Sequence, residues 1–252
     1  MSLEFSEELD SPIISPTFAP QDAGEIGLRP RLLHEYTGQE KDLTENLRCQ
    51  LEKLNDYQFT NDEWNRFFGE VLANSKDGIV EKTRLIQEDH VQVLRRDNGE
   101  SKNIVLIDKK CIHNNKVQVI NQYVVSTEDG AKHKNRYDVT ILVNGLPLIH
   151  IELKRRGVPI REAFNQINRY QRDSFWAASG LYEFVQIFVV SNGTNTKYYS
   201  NTTRFNHIKD ANSHKAKKEK TSNSFEFTSF WSDANNKIIP DLIDFSKTFF
   251  AK

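Results

Sequence analysis

The chain has 252 residues, 37% of them hydrophobic and 27% charged, so it can bury a core and is not globally disordered. A formal net charge of −1 excludes a protein that grips nucleic acid by bulk positive charge alone; if DNA is its partner, something else must bring the DNA to it. No apolar run approaches the ~20 residues of a membrane span, and MSLEFSEELD lacks the basic start and apolar centre of a signal peptide. Cys49 and Cys111 stand far apart without CxxC or His-rich surroundings. That fits a reduced, cytoplasmic protein and argues against a disulfide framework or a structural zinc.

Residues 1–38 contain Pro12, Pro16, Pro20 and Pro30 and read as an irregular arm; residues 39–252 read as one domain. Leu43, Leu47, Leu51 and Leu54 recur at helical spacing. Thr60 and Glu63 form a capping box ahead of a stripe of Trp64, Phe67, Phe68, Val71 and Leu72. After Asp77-Gly78, residues 79–93 are expected to continue as helix. Strands follow at 103–108, 116–125, 137–143 and 146–154, then a helix over 159–173 with Pro159 suited to its first turn. Residues 184–190 are nearly all apolar, as in a strand buried on both faces, and 196–200 form another short strand. The lysine-rich stretch 204–223 reads as a mobile loop, and a last helix is expected within 237–250. This order predicts an α/β (α+β-like) domain with a mixed central sheet flanked by helices.

The hairpin around Asn144-Gly145 concentrates the chemistry. Successive strand residues face opposite ways, so Tyr137, Val139, Ile141 and Val143 share one face while Asp138, Thr140 and Leu142 share the other. In the second arm Pro147, Ile149, Ile151 and Leu153 oppose Leu148, His150, Glu152 and Lys154. A two-residue turn would set apolar faces against polar ones, which register forbids. A three-residue loop, Val143-Asn144-Gly145, pairs Leu142 with Leu146 and sets Asp138 opposite His150 and diagonal to Glu152, roughly 7–8 Å away at the backbone.

Asp138, Glu152 and Lys154 can thus surround one point. Two carboxylates suit Mg2+, which would polarise a phosphate and lower the pKa of its water, with Lys154 orienting that water or stabilising developing charge. Without a cation the two carboxylates repel and one pKa should rise. The same residues are also accounted for by a solvated strand end carrying a weak surface pair. On the next helix, Gln166 and Tyr170 share a face; a core aromatic with a polar neighbour explains them as well as a functional pair does. Arg155, Arg156 and Arg161 read as ordinary surface charge.

Asp, then Glu-x-Lys on the following strand, then Gln-xxx-Tyr on the following helix resembles the PD-(D/E)xK nucleases. NRYDVTILVNGLPLIHIELKRRG with IREAFNQINRY more closely resembles the restriction (R) subunit of type I restriction–modification enzymes. The likeness extends to FTNDEWNRFF, SKDGIVEKTR, NIVLIDKK, NKVQVINQ and FVVSNGTNTKYYSNTT, over most of residues 43–250. It implies a restriction-endonuclease-like fold and Mg2+-dependent cutting of duplex DNA after ATP-driven translocation, alongside modification (methylase) and specificity subunits. It also implies Asp138 and Glu152 as metal ligands, joined by the Leu153 carbonyl, with Lys154, Gln166 and Tyr170 completing the catalytic set.

Three departures qualify the likeness. Tyr137 stands where the motif has proline. Family members carry an acidic residue on an earlier helix; Glu40 and Glu45 are candidates, although the better alignment puts 43–54 on a later helix. No GxxxxGK[ST] loop occurs, so ATP is expected only in motor domains that would follow, and the chain is expected to be an N-terminal fragment. Two other readings stand beside the nuclease of a restriction complex: a catalytically weak docking module of the same fold, and a DNA-repair nuclease of the same chemistry.

Overall fold

A computed structural model describes residues 31–32, 40–201 and 224–250; most of the proline-rich arm and the loop expected at 204–223 lie outside the described residues. In chain order the elements are β1 (Arg31–Leu32), α1 (Glu40–Asn55), α2 (Asn61–Phe67) running into a π-helical turn (Phe68–Leu72), and α3 (Ile79–Gln87). Then come β2 (Val91–Arg95), β3 (Ser101–Val105), β4 (Val117–Val125), β5 (Asn135–Val143) and β6 (Leu146–Leu153). The series ends with α4 (Ile160–Asp173), β7 (Ile187–Ser191), β8 (Thr196–Ser200) and α5 (Leu242–Phe249).

One mixed sheet has the order β1-β4-β5-β6-β7-β8, parallel at β1/β4 and β6/β7 and antiparallel elsewhere, while β2 and β3 pair as a separate ribbon. Helices cover both faces, as expected. The larger core joins Leu43, Leu47 and Leu51 of α1 and Phe164 and Ile167 of α4 to Ile120, Leu142, Phe188 and Val190 of the sheet. The smaller joins Val119, Val139, Ile141, Ile151 and Val189 to Leu242 and Phe245 of α5. β7 sends Phe188 and Val190 one way and Val189 the other, which is why its sequence is apolar throughout.

Local signals account for most boundaries. The Thr60 hydroxyl accepts from Glu63 N at 3.1 Å and Glu63 Oε2 accepts from Thr60 N at 3.1 Å, the expected capping box. The helix expected over 79–93 stops at Gln87, because residues 91–95 pair with β3. The last helix begins only at Leu242: Pro240 restricts the residue before it, and Asp241 caps Ile243 and Asp244 at 2.9 and 3.2 Å.

The hairpin differs from expectation in one way that matters. Its turn has two residues, not three: Val143 pairs with Leu146, and Asn144 and Gly145 both have positive φ (51° and 84°). A β-bulge restores the match of faces. Leu142 pairs with Pro147 but Ile141 with Ile149, leaving Leu148 as the extra residue. The ladder ends at Val139–Ile151; continued by one residue, this register would set Asp138 across from Glu152, not from His150. The tight turn is fixed from within. The buried Asn144 amide donates to Leu106 O (2.9 Å) and Asn115 Oδ1 (2.8 Å), and its Oδ1 accepts from Lys116 N (2.7 Å).

A second difference concerns β5. Val139 and Ile141 line the smaller core as alternation requires, but Tyr137 lies in the larger one with Leu142. On β4, Val119 and Ile120 face the smaller and larger cores in turn, yet Tyr123 and Val125 both join the larger. Both strands exchange faces at the same step, where Gln122 and Asp138 are missing from the ladder and Gln122 has φ +55°.

Gly145 offers a sharp test of the turn. A Cβ there would lie 2.5 Å from the Leu47 Cα, on a residue already at φ +84°. Gly145→Ala should cost roughly 3 kcal/mol, combining overpacking with the left-handed penalty. Gly99→Ala, with the same φ and nothing within 4 Å, should cost about 1–2 kcal/mol. Denaturant unfolding of both variants measures the gap, and equal losses would contradict it.

Candidate active site

The apolar faces of β5 and β6 hold their polar faces in register at the sheet's end. Asp138 is half-buried there; its Oδ2 accepts from the Leu153 backbone N–H at 2.9 Å, and Gln122 Nε2 lies 3.5 Å from its Oδ1. Glu152 is fully buried. Its Oε1 lies 3.3 Å from Lys154 Nζ, while among the described residues Oε2 has no hydrogen-bond partner, with His150 Nε2 at ion-pair distance, 3.5 Å. Burial pushes the Glu152 carboxyl above the ordinary glutamate value; His150 and Lys154 pull it down, and the charge of Asp138 adds to the rise.

A directed chain of hydrogen bonds leads from the lysine into the fold. Lys154 Nζ donates to Gln166 Oε1, Gln166 Nε2 donates to Tyr170 Oη, and Tyr170 Oη donates to Arg136 O at 2.8 Å. Burial, reinforced by the negative charge of Glu152, pushes the Tyr170 phenol up to about 12, so it stays protonated and can donate. The amide can only turn one way between an ammonium donor and a phenol that already donates onward. Gln166 and Tyr170 therefore clamp Lys154 beside Glu152.

Behind Glu152, His150 is sealed among aromatic rings: Tyr137 (5.5 Å between centroids), Phe175 (5.8 Å), Tyr170 (6.2 Å), Tyr182 (6.5 Å) and Phe188 (6.5 Å). Among the described residues neither ring nitrogen has a hydrogen-bond partner.

Asp138, Glu152, Lys154, Gln166 and Tyr170 thus come together, and Leu153 touches the group through its N–H. The arginines do not join them. Arg155 and Arg156 are exposed, with the Arg156 stem lying along Gly193, and Arg161 sits over the Phe225 ring at 5.2 Å. Glu45 pairs with Lys41 at 3.6 Å on an exposed helix face, and the side chain of Glu40 lies outside the described residues. Gln122 carries no signal in the sequence, where it reads as an ordinary polar strand residue.

The donors suit a hard cation. An ionisable buried carboxylate oxygen without a partner, with a second carboxylate across the strand pair, matches the one or two acidic groups that Mg2+ takes alongside water. Among the described residues no group of three or more His, Cys, Asp or Glu side chains is arranged to hold a metal, so a softer ion with a full protein cage has no such set there.

The mixed sheet flanked by helices is the fold of a restriction-endonuclease-like domain. A model of the family described as "Type I restriction enzyme R protein N terminus" matches residues 20–207. The chain belongs to that family. It is 48% identical over 212 residues to the type I restriction enzyme EcoprrI endonuclease subunit of Escherichia coli, covering 84% of this chain and 62% of that protein. It is 38% identical over 215 residues to the SsaAORF53P endonuclease subunit of Staphylococcus saprophyticus, covering 83% of this chain and 20% of the relative. The chain thus spans about three fifths of the first relative and a fifth of the second.

The burial of Glu152 predicts a pH dependence. A carboxyl whose folded pKa exceeds its unfolded value stabilises the fold below the unfolded value and loses that contribution as pH rises through the folded one. In chelator, Glu152→Gln should be more stable than wild type above the ordinary glutamate value of 4.5. The gap should open as rising pH forces the buried carboxyl to ionise and close at more acid pH, where it is neutral like the amide. Melting curves across pH measure it; a Glu152→Gln variant less stable than wild type at neutral pH would contradict it.

Proposed function

We propose that this chain is the endonuclease module of a type I restriction enzyme and hydrolyses phosphodiester bonds of duplex DNA with Mg2+, on the PD-(D/E)xK plan. The observation that carries the reading is the gathering of Asp138, Glu152 and Lys154 at one sheet end, with Gln166 and Tyr170 holding the lysine. Asp138 and Glu152 would hold the Mg2+, with the Leu153 carbonyl beside them. The bound ion would supply polarisation of the phosphate and a water of lowered pKa.

The chain's own residues do the rest. Lys154 brings a positive charge to the point where negative charge builds on the phosphate, and its ammonium can orient the attacking water. Gln166 and Tyr170 fix its position, so little reorganisation is needed during the reaction. The apolar core behind Glu152 keeps bulk water away and strengthens each electrostatic contact. In the assembled restriction enzyme, cutting would be coupled to ATP-driven translocation by motor segments, with modification and specificity subunits selecting the DNA in the cytoplasm. Those partners account for a DNA enzyme of net charge −1.

A second reading draws on the complete burial of Glu152 and its pairing with Lys154: a docking module that keeps the fold and couples motor to partners without cutting. The assembled complex separates the two. Glu152→Ala or Lys154→Ala should lower DNA cleavage by about a hundredfold or more while ATP hydrolysis persists. Cleavage at the wild-type rate in both variants would defeat the nuclease assignment.

A further inference from the structure

Gln122 carries a backbone anomaly that packing of its own side chain does not explain. It is exposed, yet its φ of +55° lies in the left-handed region that glycine and asparagine favour and glutamine rarely adopts. It lies within β4, where Asn121 pairs with Val139 and Tyr123 with Tyr137, so that Gln122 and Asp138 alone drop out of that run of the ladder. At this step both strands exchange faces, and Tyr123 and Tyr137 turn into the larger core, their rings 5.8 Å apart. Tyr137 then backs the site, 4.8 Å from the Tyr170 ring and 5.5 Å from that of His150. Such outliers persist where the surroundings over-determine them, and they cluster at functional sites.

We propose that Gln122 is a positioning residue for Asp138: its left-handed backbone frees the aspartate from the ladder, and its amide steadies the carboxylate beside Glu152. The inference rests on the nuclease reading of the site. Asp138 has two anchors, the Leu153 N–H on Oδ2 at 2.9 Å and the Gln122 amide near Oδ1 at 3.5 Å. The first is fixed by the strand. The second is long, exposed and neutral, a weak contact that biases Oδ1 toward this orientation without cancelling its charge. A donor of this kind orients a metal ligand from outside, and loss of such a partner typically lowers metal affinity or activity 10–100-fold.

Two readouts separate positioning from support of the fold: thermal melting of the metal-free full chain, and Mg2+ titration by calorimetry. Cleavage in the assembled complex is the third. Gln122→Gly tolerates the left-handed backbone and deletes only the exposed side chain. It should melt at or above the wild-type temperature, bind Mg2+ about tenfold more weakly and cut correspondingly slowly at subsaturating Mg2+. Gln122→Asn, which also tolerates positive φ and keeps a shorter amide, should fall between the two. Wild-type Mg2+ affinity in both variants would overturn the proposal, whatever their melting temperatures. If Gln122→Gly melts well below wild type, Gln122→Asn decides: weaker Mg2+ binding at wild-type melting supports positioning, and unchanged binding refutes it. Asp138→Asn is the control for the site. Lost Mg2+ binding in Asp138→Asn with none lost in Gln122→Gly defeats only the role of Gln122; full binding in Asp138→Asn removes the metal-site reading and this inference with it.

Discussion

A carboxylate carried wholly into the interior by an apolar strand needs company, and the surroundings of Glu152 are organised by that need. Ile149, Ile151 and Leu153 anchor β6 in the smaller core, so alternation drives His150 and Glu152 to the opposite side, where water cannot reach. Lys154 supplies the nearest opposite charge and itself requires acceptors, which Gln166 provides on α4. Tyr170 closes the chain of bonds against the backbone of β5. Among the described residues one carboxylate oxygen still has no hydrogen bond, its neighbour His150 Nε2 standing 3.5 Å off. That residue of unmet demand is what a divalent cation would satisfy, and it links the packing of the sheet to the chemistry of the site.

The sheet reaches this geometry through two irregularities. The β-bulge at Leu148 lets a two-residue Asn-Gly turn coexist with matched faces, and its register, continued by one residue, would set Asp138 across from Glu152. At the left-handed Gln122 the aspartate leaves the β4/β5 ladder, and Tyr137 turns beneath Tyr170 and His150. A regular sheet would have tied the Asp138 backbone into the ladder on both sides. Both departures sit close to Asp138 or Glu152 and re-aim the side chains beside them.

Period-2 alternation in LPLIHIELK reveals from the sequence that His150, Glu152 and Lys154 share a face, because one side of that strand is almost entirely aliphatic. The same logic places Thr140 and Leu142 of β5 correctly. It fails at Tyr137, since nothing local marks Gln122 as left-handed; a glycine or asparagine there would have been a signal. It also fails on the turn. The polar face of β6 argues for an odd loop, whereas the chain keeps the favoured two-residue turn and absorbs the extra residue in a bulge. What decides between these solutions is tertiary: the buried Asn144 network and the contact of Gly145 with α1. The i, i+4 spacing of Gln166 and Tyr170 is visible in the sequence, but their role depends on α4 packing beside β6, which the spacing does not encode. Family likeness of the wider motifs makes the site readable where periodicity cannot.

The central claim is that Asp138 and Glu152 jointly hold a divalent ion where DNA is cut. Crystals of the full chain grown with Mn2+ and a short duplex, examined for anomalous scattering at the manganese edge, test it most directly. The account predicts a manganese peak bounded by the Asp138 and Glu152 carboxylates, close to a backbone phosphate. Manganese bound elsewhere beside the duplex, with Glu152 still flanked only by Lys154 and His150, would contradict it.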